Sequence, residues 1–156
     1  MHPFVKTSLA TAATAAAGSV ATAGSTDSMW YKSLDKPGFQ PPGWVFPIAW
    51  TALYTDIAVT TGLALEKLPE GERAALKTAF GVNLVLNAGW SWAFFGTRNV
   101  GASVPVAAAL AVSSADLVRR VGRAEKRYGV ALSPYAAWTA FATVLSASLK
   151  ALNPGQ

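Results

Sequence analysis

Long apolar segments alternate with short polar connections along this chain. Four segments, at roughly 43–65, 76–97, 100–118 and 132–152, are apolar over about 20 residues, the length that crosses a bilayer. The connections between them hold most of the charged residues, around 66–73, 98–99 and 119–129. The pattern predicts an all-α integral membrane protein.

A weaker segment at roughly 3–24 is rich in Ala and Thr and poor in large apolar residues. It has the A-x-A pattern of a signal-peptide cleavage site at Ala21-Thr22-Ala23. It could instead be a first membrane helix that packs closely through small residues, namely Ala17, Gly18, Ala21 and Gly24. Its only early basic residue is Lys6, which favours the helix. We therefore expect one domain over residues 1–156, a bundle of five transmembrane helices.

Composition supports a membrane protein and excludes several kinds of site. Hydrophobic residues make up 52% of the chain and charged residues 13%, about half the share that soluble domains carry. The chain has no Cys and a single His at position 2. Thiolate metal sites, disulfides, a catalytic His and a core His ligand to haem or zinc are therefore excluded. The net charge of +5 comes with no nucleic-acid motif, so we expect no nucleic-acid partner.

The basic residues predict an orientation. With five helices, one end of the bundle receives nine of the 13 Lys and Arg residues: Lys6, Lys67, Arg73, Lys77, Arg119, Arg120, Arg123, Lys126 and Arg127. The other end receives Lys32, Lys36, Arg98 and Lys150. The positive-inside rule then places the N-terminus in the cytoplasm and the first connection outside. We expect a multi-pass protein of a bacterial membrane rather than of the mitochondrial outer membrane.

The first connection, WYKSLDKPGFQPPGWVFPIAW at 30–50, contains three of the six Trp and four of the nine Pro residues. Pro fixes its own φ and moves the preceding residue out of helical geometry. Lys36-Pro37 and Pro41-Pro42 therefore predict a stiff, extended loop, with a helix beginning near Pro42 to Trp44. A stiff aromatic loop beside an apolar helix suggests a lid over a pocket.

Three segments each place aromatic side chains on one helix face, because residues three or four positions apart are neighbours. The three faces hold Phe46, Trp50 and Tyr54; Asn83, Asn87, Trp90, Ser91 and Phe94; and Tyr135, Trp138, Ala142 and Leu145. Buried together, they would line a cavity for a large, flat, apolar ligand. Spacing alone favours a simpler interpretation, in which the aromatic residues form an interfacial belt and the Asn residues bond between helices.

Two acidic residues and two rows of small residues remain open to interpretation. Asp56 lies near the middle of a predicted span, where a charge is usually functional or paired, and its partner is not evident. Asp116 is expected to form an ion pair with Arg119 or Arg120. Small residues at Gly89 and Ala93, and at Ala107, Ala111 and Ala115, could serve either dimerisation or internal packing.

These motifs resemble the translocator protein / tryptophan-rich sensory protein (TspO/MBR) family over about residues 15–153. The resemblance rests on Trp30-Tyr31, Leu34, Lys36-Pro37, Pro41-Pro42, Trp44, Phe46 and Trp50, then Asn87, Trp90-Ser91 and Phe94-Phe95-Gly96, and last Pro134-Tyr135, Trp138-Thr139 and Phe141-Ala142-Thr143. It implies five transmembrane helices, often a homodimer, and a pocket roofed by the first loop that binds porphyrins and, in eukaryotic members, sterols.

By position, the resemblance implies ligand contacts at Trp30, Tyr31, Pro41, Pro42, Trp50, Asn83, Asn87, Trp90, Ser91, Trp138, Ala142 and Leu145. Some bacterial members are proposed to degrade protoporphyrin in light, using two tryptophans that match Trp50 and Trp138. The chain departs from the family at Ser146, where many members have Asn. It also lacks the Tyr of the C-terminal cholesterol-recognition pattern, which puts sterol binding there in doubt.

We therefore expect a membrane receptor, sensor or carrier for a tetrapyrrole such as protoporphyrin IX, or for a sterol-like molecule, with no cofactor required. The alternative is a light-dependent porphyrin-degrading enzyme that uses Trp50 and Trp138, since no acid/base pair or nucleophile supports ordinary catalysis. Without a core His or Cys, binding should favour metal-free porphyrin or be indifferent to the metal. Lys36 is expected to meet a propionate near the loop.

Overall fold

Six α-helices build the part of the chain that the computed structural model describes, residues 2–22, 29–42 and 44–155. They are α1 (Pro3–Thr22), α2 (Met29–Ser33), α3 (Val45–Lys67), α4 (Glu70–Ser91), α5 (Val100–Ala124) and α6 (Lys126–Leu152). A π-helical turn at Trp92–Gly96 follows α4 directly. Within those ranges there is no strand, so the all-α class is confirmed.

The five long helices form a closed ring in the order α1, α3, α6, α5, α4, because each helix contacts the next in that order and α4 contacts α1. Apolar residues from four helices meet in its centre, where Ile57, Leu76, Leu117 and Leu132 are fully buried. The Thr7 hydroxyl of α1 donates a buried 2.9 Å hydrogen bond to the Ala58 carbonyl of α3. The segment at 3–22 therefore packs as a helix of the bundle, whereas Ala23 and Gly24 lie outside the described residues.

Three predicted boundaries were wrong by about six residues. α4 begins at Glu70 rather than near 76, α6 begins at Lys126 rather than near 132, and α5 continues to Ala124. Hydropathy marks where the apolar part of a helix ends, but a helix can continue into the polar interface. Glu70 and Glu72 lie in the first turn of α4, where the helix dipole favours acidic side chains. The connections shrink to Leu68–Pro69 and to Glu125 alone, and α2 was not predicted.

Three helices in the described ranges are long and apolar enough to cross a membrane: Ile48–Lys67, Val100–Ala124 and Lys126–Leu152. Three of the five predicted spans therefore meet this criterion, and spans at α1 and α4 stay a prediction. The apolar character of α4 is reduced by Asn83 and Asn87, yet both side chains are buried inside the bundle.

The five long helices alternate in direction, so successive connections lie at alternate ends of the ring. The charged connections therefore lie at one end and the first, aromatic connection at the other. At the basic end, Lys67 Nζ is 2.8 Å from Glu125 Oε2, and His2 pairs with Glu66. At the other end, the first loop meets the π-helical turn and Asn153. The expected ion pairs of Asp116 are confirmed, since Arg119 and Arg120 approach its carboxylate at 2.6 and 2.7 Å.

Helices α5 and α6 form a hairpin whose backbones touch at two glycines. A Cβ atom on Gly129 would lie 2.8 Å from the Gly122 Cα and 3.2 Å from the Val118 carbonyl oxygen. No side chain fits at that distance, so Gly129 permits the close approach. The single connecting residue, Glu125, is extended at φ −158°, which turns the chain sharply between the helices.

Candidate ligand-binding site

Two tryptophans from other helices, Trp90 and Trp138, pack against Trp50 of α3. We call these three residues the indole cluster. The Trp50 ring lies 6.0 Å from Trp90 of α4 and 6.2 Å from Trp138 of α6, between ring centroids. It also stacks on Tyr54 at 5.6 Å and 28°, one turn further along α3. The helical spacing of Trp50 and Tyr54 thus produces the aromatic face that it predicted.

The first loop covers one side of this cluster, and we call residues 29–42 the roof. Tyr31 and Leu34 are buried against Trp90 and Phe94 in one apolar cluster. The Trp30 ring meets Phe94 edge-on at 5.8 Å. The roof is therefore packed onto the aromatic side chains of α4, in the position expected of a lid.

The π-helical turn shapes the surface under the roof. Its wider winding brings Phe94 and Phe95 together at 4.7 Å, and Phe95 lies 6.0 Å from Tyr31. A Cβ atom on Gly96 would lie 2.5 Å from the Trp92 ring, so glycine is required for Trp92 to fold back over the turn. π-helical turns are frequent at functional sites, and this one contacts the roof through Phe94 and Phe95.

Hydrogen bonds within the roof stabilise its shape. Lys36 Nζ donates to the carbonyls of Tyr31 at 2.8 Å and Leu34 at 3.2 Å, and lies 4.7 Å from the centre of the Tyr31 ring. Lys36, expected near a propionate, thus closes the end of α2 in this structure. Burial raises the pKa of the Tyr31 hydroxyl, and a hydrogen bond from Gln40 partly offsets that rise.

The Asn153 side chain attaches the roof to the end of α6. The Asn153 side chain accepts a hydrogen bond from the Asp35 N–H at 2.9 Å and donates one to the Asp35 carbonyl at 2.8 Å. We call this pair the Asn153 clamp. Because the amide satisfies both backbone groups of one residue, it fixes the position of the roof as a neighbouring β-strand would.

A chain of hydrogen bonds runs beneath the indole cluster and joins four helices. Tyr54 donates to Asn87 Oδ1 at 2.7 Å, and Asn87 donates to the Tyr135 hydroxyl at 3.2 Å. Tyr135 donates to Asn83 Oδ1 at 2.6 Å, and Asn83 Nδ2 reaches Ser114 Oγ at 3.1 Å. Interhelical bonding thus occupies both amides. Direct ligand contact by Asn83 and Asn87 stays a prediction.

The indole N–H groups of the cluster differ in their partners. Trp90 Nε1 donates to the hydroxyl of Ser146, at 3.2 Å. Trp138 Nε1 is buried and has no hydrogen-bond partner among the described residues. A buried donor without an acceptor costs about 1–3 kcal/mol. The cluster therefore contains one donor that an added acceptor would satisfy.

The remaining predicted contact residues divide into buried and exposed ones. Ser91, Ala142 and Leu145 are buried, and Leu145 belongs to the same apolar cluster as Tyr31 and Trp90. Pro41 is half-buried and Pro42 is exposed. Trp44 is 68% exposed, which fits the interfacial-belt interpretation for that residue.

Three polar residues of this region were missing from the predicted contacts: Tyr54, Tyr135 and Ser146. The first two lie on the predicted aromatic faces, so their spacing could have identified them. The contact of Ser146 depends on how α4 and α6 pack, which spacing within one helix does not reveal. Asp56 is half-buried, and the described part of the chain offers its carboxylate no partner.

The rings of the cluster are too close together for a flat ligand to slide between them. Centroid separations of 6.0–6.2 Å place the neighbouring rings in contact. A macrocycle must therefore displace at least one of these rings or lift the roof. The described residues contain no group of three or more His, Cys, Asp or Glu side chains that could hold a metal ion.

Comparisons with known proteins agree with this architecture. The TspO/MBR family matches residues 7–152. The tryptophan-rich protein TspO of Archaeoglobus fulgidus is 34% identical over 150 residues, 96% of each chain. Protein CrtK of Rhodobacter capsulatus is 32% identical over 81% of this chain and 80% of its own. The translocator protein of Ovis aries is 30% identical over 81% of this chain and 76% of its own. Since the match covers nearly the whole chain, the protein belongs to the TspO/MBR family of membrane proteins.

Proposed function

We propose that this protein crosses the membrane five times, through α1, α3, α4, α5 and α6, and acts as a receptor, sensor or carrier. Its ligand is a flat, largely apolar molecule of the porphyrin type, bound between the indole cluster and the roof. Relatives named tryptophan-rich sensory protein and translocator protein support this class of function.

The buried Trp138 N–H without a partner is the observation that carries the proposal. It lies beside Trp50, whose ring also touches Trp90 and Tyr54. A ligand with a broad π-face and an acceptor group matches both features, because it replaces ring–ring contacts and satisfies the donor. A porphyrin has a large π-face, and its propionates accept hydrogen bonds.

Access to the site runs through the roof. The roof contributes Tyr31 and Leu34 to the apolar cluster, and the hydrogen bonds that join it to α6 are at the surface. Opening it exposes the indole cluster without separating the long helices. Binding then selects the open roof, and a bound macrocycle takes the place of part of the ring contacts.

The ligand's metal should matter little to affinity. His2 lies at the basic end beside Glu66, at the opposite end of the bundle from the roof. The chain has no Cys and no other His to coordinate a central metal ion. Protoporphyrin IX and its iron complex should therefore bind comparably, or the metal-free form more tightly. Much tighter binding of haem would contradict this.

A titration with protoporphyrin IX tests the proposal. The protein in detergent is titrated in the dark and then under light, following tryptophan fluorescence and porphyrin absorbance. Saturable quenching supports the proposal if Trp138→Phe weakens the binding about five- to 150-fold, which corresponds to about 1–3 kcal/mol. Trp44→Phe is the matched control, since Trp44 is exposed and makes no ring contact with the cluster.

The same titration distinguishes a binding protein from the alternative, a porphyrin-degrading enzyme. Light-driven loss of the porphyrin bands that Trp50→Phe or Trp138→Phe abolishes would identify a porphyrin-degrading enzyme. A stable spectrum with saturable binding would identify a binding protein. Absence of saturable binding would leave the family membership standing and overturn the ligand assignment.

The proposal includes a homodimer in a bacterial membrane, with the basic end in the cytoplasm. Ala107 is fully buried and packs within one chain. Gly89 is half-buried, and a Cβ atom there would make only ordinary contact with Val106 of α5 at 3.8 Å, so Gly89 stays a candidate for the dimer interface. Crosslinking in native membranes tests for it.

A further inference from the structure

A cavity lies at the basic end, remote from the indole cluster, where the beginning of α4 meets the end of α5. Its volume is about 140 Å³, and it is lined by Leu68, Gly71, Glu72, Ala75, Arg120 and Arg123. Because a water molecule takes about 30 Å³ in the liquid, the cavity has room for a group the size of a phosphate. One wall is apolar, and two arginines stand at another.

The arginines keep donors available for an anion. Arg123 has no hydrogen bond or ion pair with any described residue. Arg120 uses Nε to reach Asp116 at 2.7 Å, which leaves its two terminal NH₂ groups. Asp116 is shared with Arg119, so that carboxylate does not neutralise the pair completely. Glu72 contributes one negative charge, and the lining retains a net positive charge.

A neighbouring arginine shows a further unsatisfied donor. Arg73 donates through Nη2 to the Leu68 carbonyl at 3.3 Å, while its Nε is buried without a partner among the described residues. Leu68 also lines the cavity. Arg73 thus adds a third guanidinium group beside Leu68, next to the cavity that Arg120 and Arg123 line together with one carboxylate, that of Glu72.

The surroundings favour a lipid over a soluble anion. The end of the bundle that carries nine of the 13 basic residues is the end where positive-inside topology places the anionic leaflet. Below the cavity, Ala75, Val82 and Val85 follow one another at helical spacing and are all exposed. An acyl chain can lie along this apolar stripe while the headgroup occupies the cavity.

We propose that this cavity binds the phosphodiester headgroup of an anionic glycerophospholipid. Arg123 and Arg120 hold the phosphate oxygens, since a guanidinium presents paired N–H donors that match a phosphate. Leu68 and Ala75 contact the glycerol and the start of the acyl chains. The site shares no residue with the indole cluster or the roof, so it does not depend on the porphyrin proposal.

The test measures lipid selectivity in the full-length protein. The protein is reconstituted in phosphatidylcholine vesicles, and spin-labelled phosphatidylglycerol and phosphatidylcholine report the lipid that is immobilised on it. We expect selectivity for phosphatidylglycerol in the unmodified protein and a loss of about fivefold in Arg123→Gln. Lys126→Gln is the matched control, because it removes one charge at the same end outside the cavity. Equal losses in both variants would overturn the site.

Two further experiments complete the test. The first examines the cavity without changing its charge, and the second distinguishes a lipid headgroup from a soluble phosphate compound. Ala75→Phe fills the cavity without changing the net charge and should also abolish the selectivity; retained selectivity would overturn the proposal. Glycerol 1-phosphate is added as a soluble competitor and should displace no labelled lipid. Displacement by it would assign the site to a soluble phosphate compound instead. Thermal unfolding midpoints confirm that each variant is folded.

Discussion

The two ends of this bundle are closed in different ways. At the roof end, an irregular segment packs aromatic side chains onto Trp90 and Phe94 and is attached to α6 by the Asn153 clamp. At the basic end, the helices themselves close the bundle, through the touching backbones of Gly122 and Gly129. At the roof end the contacts are between side chains, which another molecule could replace. At the basic end they are between helix backbones, which leave no room for another group.

This difference indicates where the protein can change shape. Surface hydrogen bonds contribute about 0.5–1.5 kcal/mol each, and lifting the roof also exposes the buried side chains of Tyr31 and Leu34. It breaks no contact between the long helices. Parting α5 from α6 would expose the buried residues between them, including Val121 and Leu132. A ligand that enters by lifting the roof therefore leaves the basic end unchanged. Four predictions test this contrast, beginning with the largest expected effect.

Gly129→Leu should destabilise the packing of α6 against α5 at the basic end. The new side chain meets the Gly122 backbone, and overpacking of this kind costs about 1–3 kcal/mol, occasionally more. We expect the upper end of this range, with most of the purified protein aggregated. Gly81→Leu is the control, because nothing lies within 4 Å of a Cβ atom there. Thermal unfolding in detergent gives the comparison, and equal midpoints would refute the backbone contact.

Tyr135→Phe should weaken the hydrogen-bond chain between the two ends. The change leaves Asn83 Oδ1 without its donor in a buried site, at a cost of about 1–3 kcal/mol. Tyr128→Phe, at the basic end, keeps its ring beside Lys67 Nζ and should cost less. The unfolding midpoints of the two variants decide the order. A milder effect in Tyr135→Phe would show that the chain is not a major stabilising element.

Asn153→Ala should loosen the roof alone. Loss of the two bonds to Asp35 should raise hydrogen exchange of residues 30–35 about tenfold, while α5 and α6 near Glu125 stay protected. Lys67→Gln, which breaks the ion pair to Glu125, should leave the roof unchanged. Exchange measured by mass spectrometry reports both ends at once. Faster exchange at both ends in Asn153→Ala would contradict independent closure.

Acid should affect only the basic end. The hydrogen bond from Lys67 holds the pKa of the Glu125 carboxyl below its usual value. The ionised form is favoured in the folded state, so its contribution is full above the ordinary carboxyl pKa and is lost as pH falls through the lowered one. The effect is small because the pair is exposed. Protection factors near Glu125, which are corrected for the pH dependence of intrinsic exchange, should fall as pH drops below the ordinary carboxyl range. Glu125→Gln should remove this dependence.

The sequence predicted the apolar part of each long helix better than its ends. Glu70 and Lys126 begin helices although both are charged, because a helix continues beyond the bilayer core while hydropathy does not. The convergence of Trp50, Trp90 and Trp138 followed from helical spacing together with family resemblance. Spacing alone would have left these residues as an interfacial belt, an interpretation that fits only the exposed Trp44.

The partners of the polar residues could not be read from the sequence. Asn83 and Asn87 were recognisable as buried polar groups, but the Tyr54 and Tyr135 hydroxyls that satisfy them come from other helices. The same holds for Ser146 and Trp90. Such pairs depend on the rotation of each helix in the ring, which the pattern of one helix does not determine. The Asn153 clamp joins residues 118 positions apart and gave no local signal.

The Asn153 clamp also sets an order of events during biosynthesis. Asn153 follows α6, the last helix described, and its partner Asp35 belongs to the first connection. As the chain is synthesised, the roof can pack on Trp90 and Phe94 once α4 is in place, but Asp35 has no partner until α6 follows. A chain halted before that step has Trp50 and Trp90, and lacks both Trp138 and the Asn153 clamp. The indole cluster and the clamp are therefore completed by the same helix, α6.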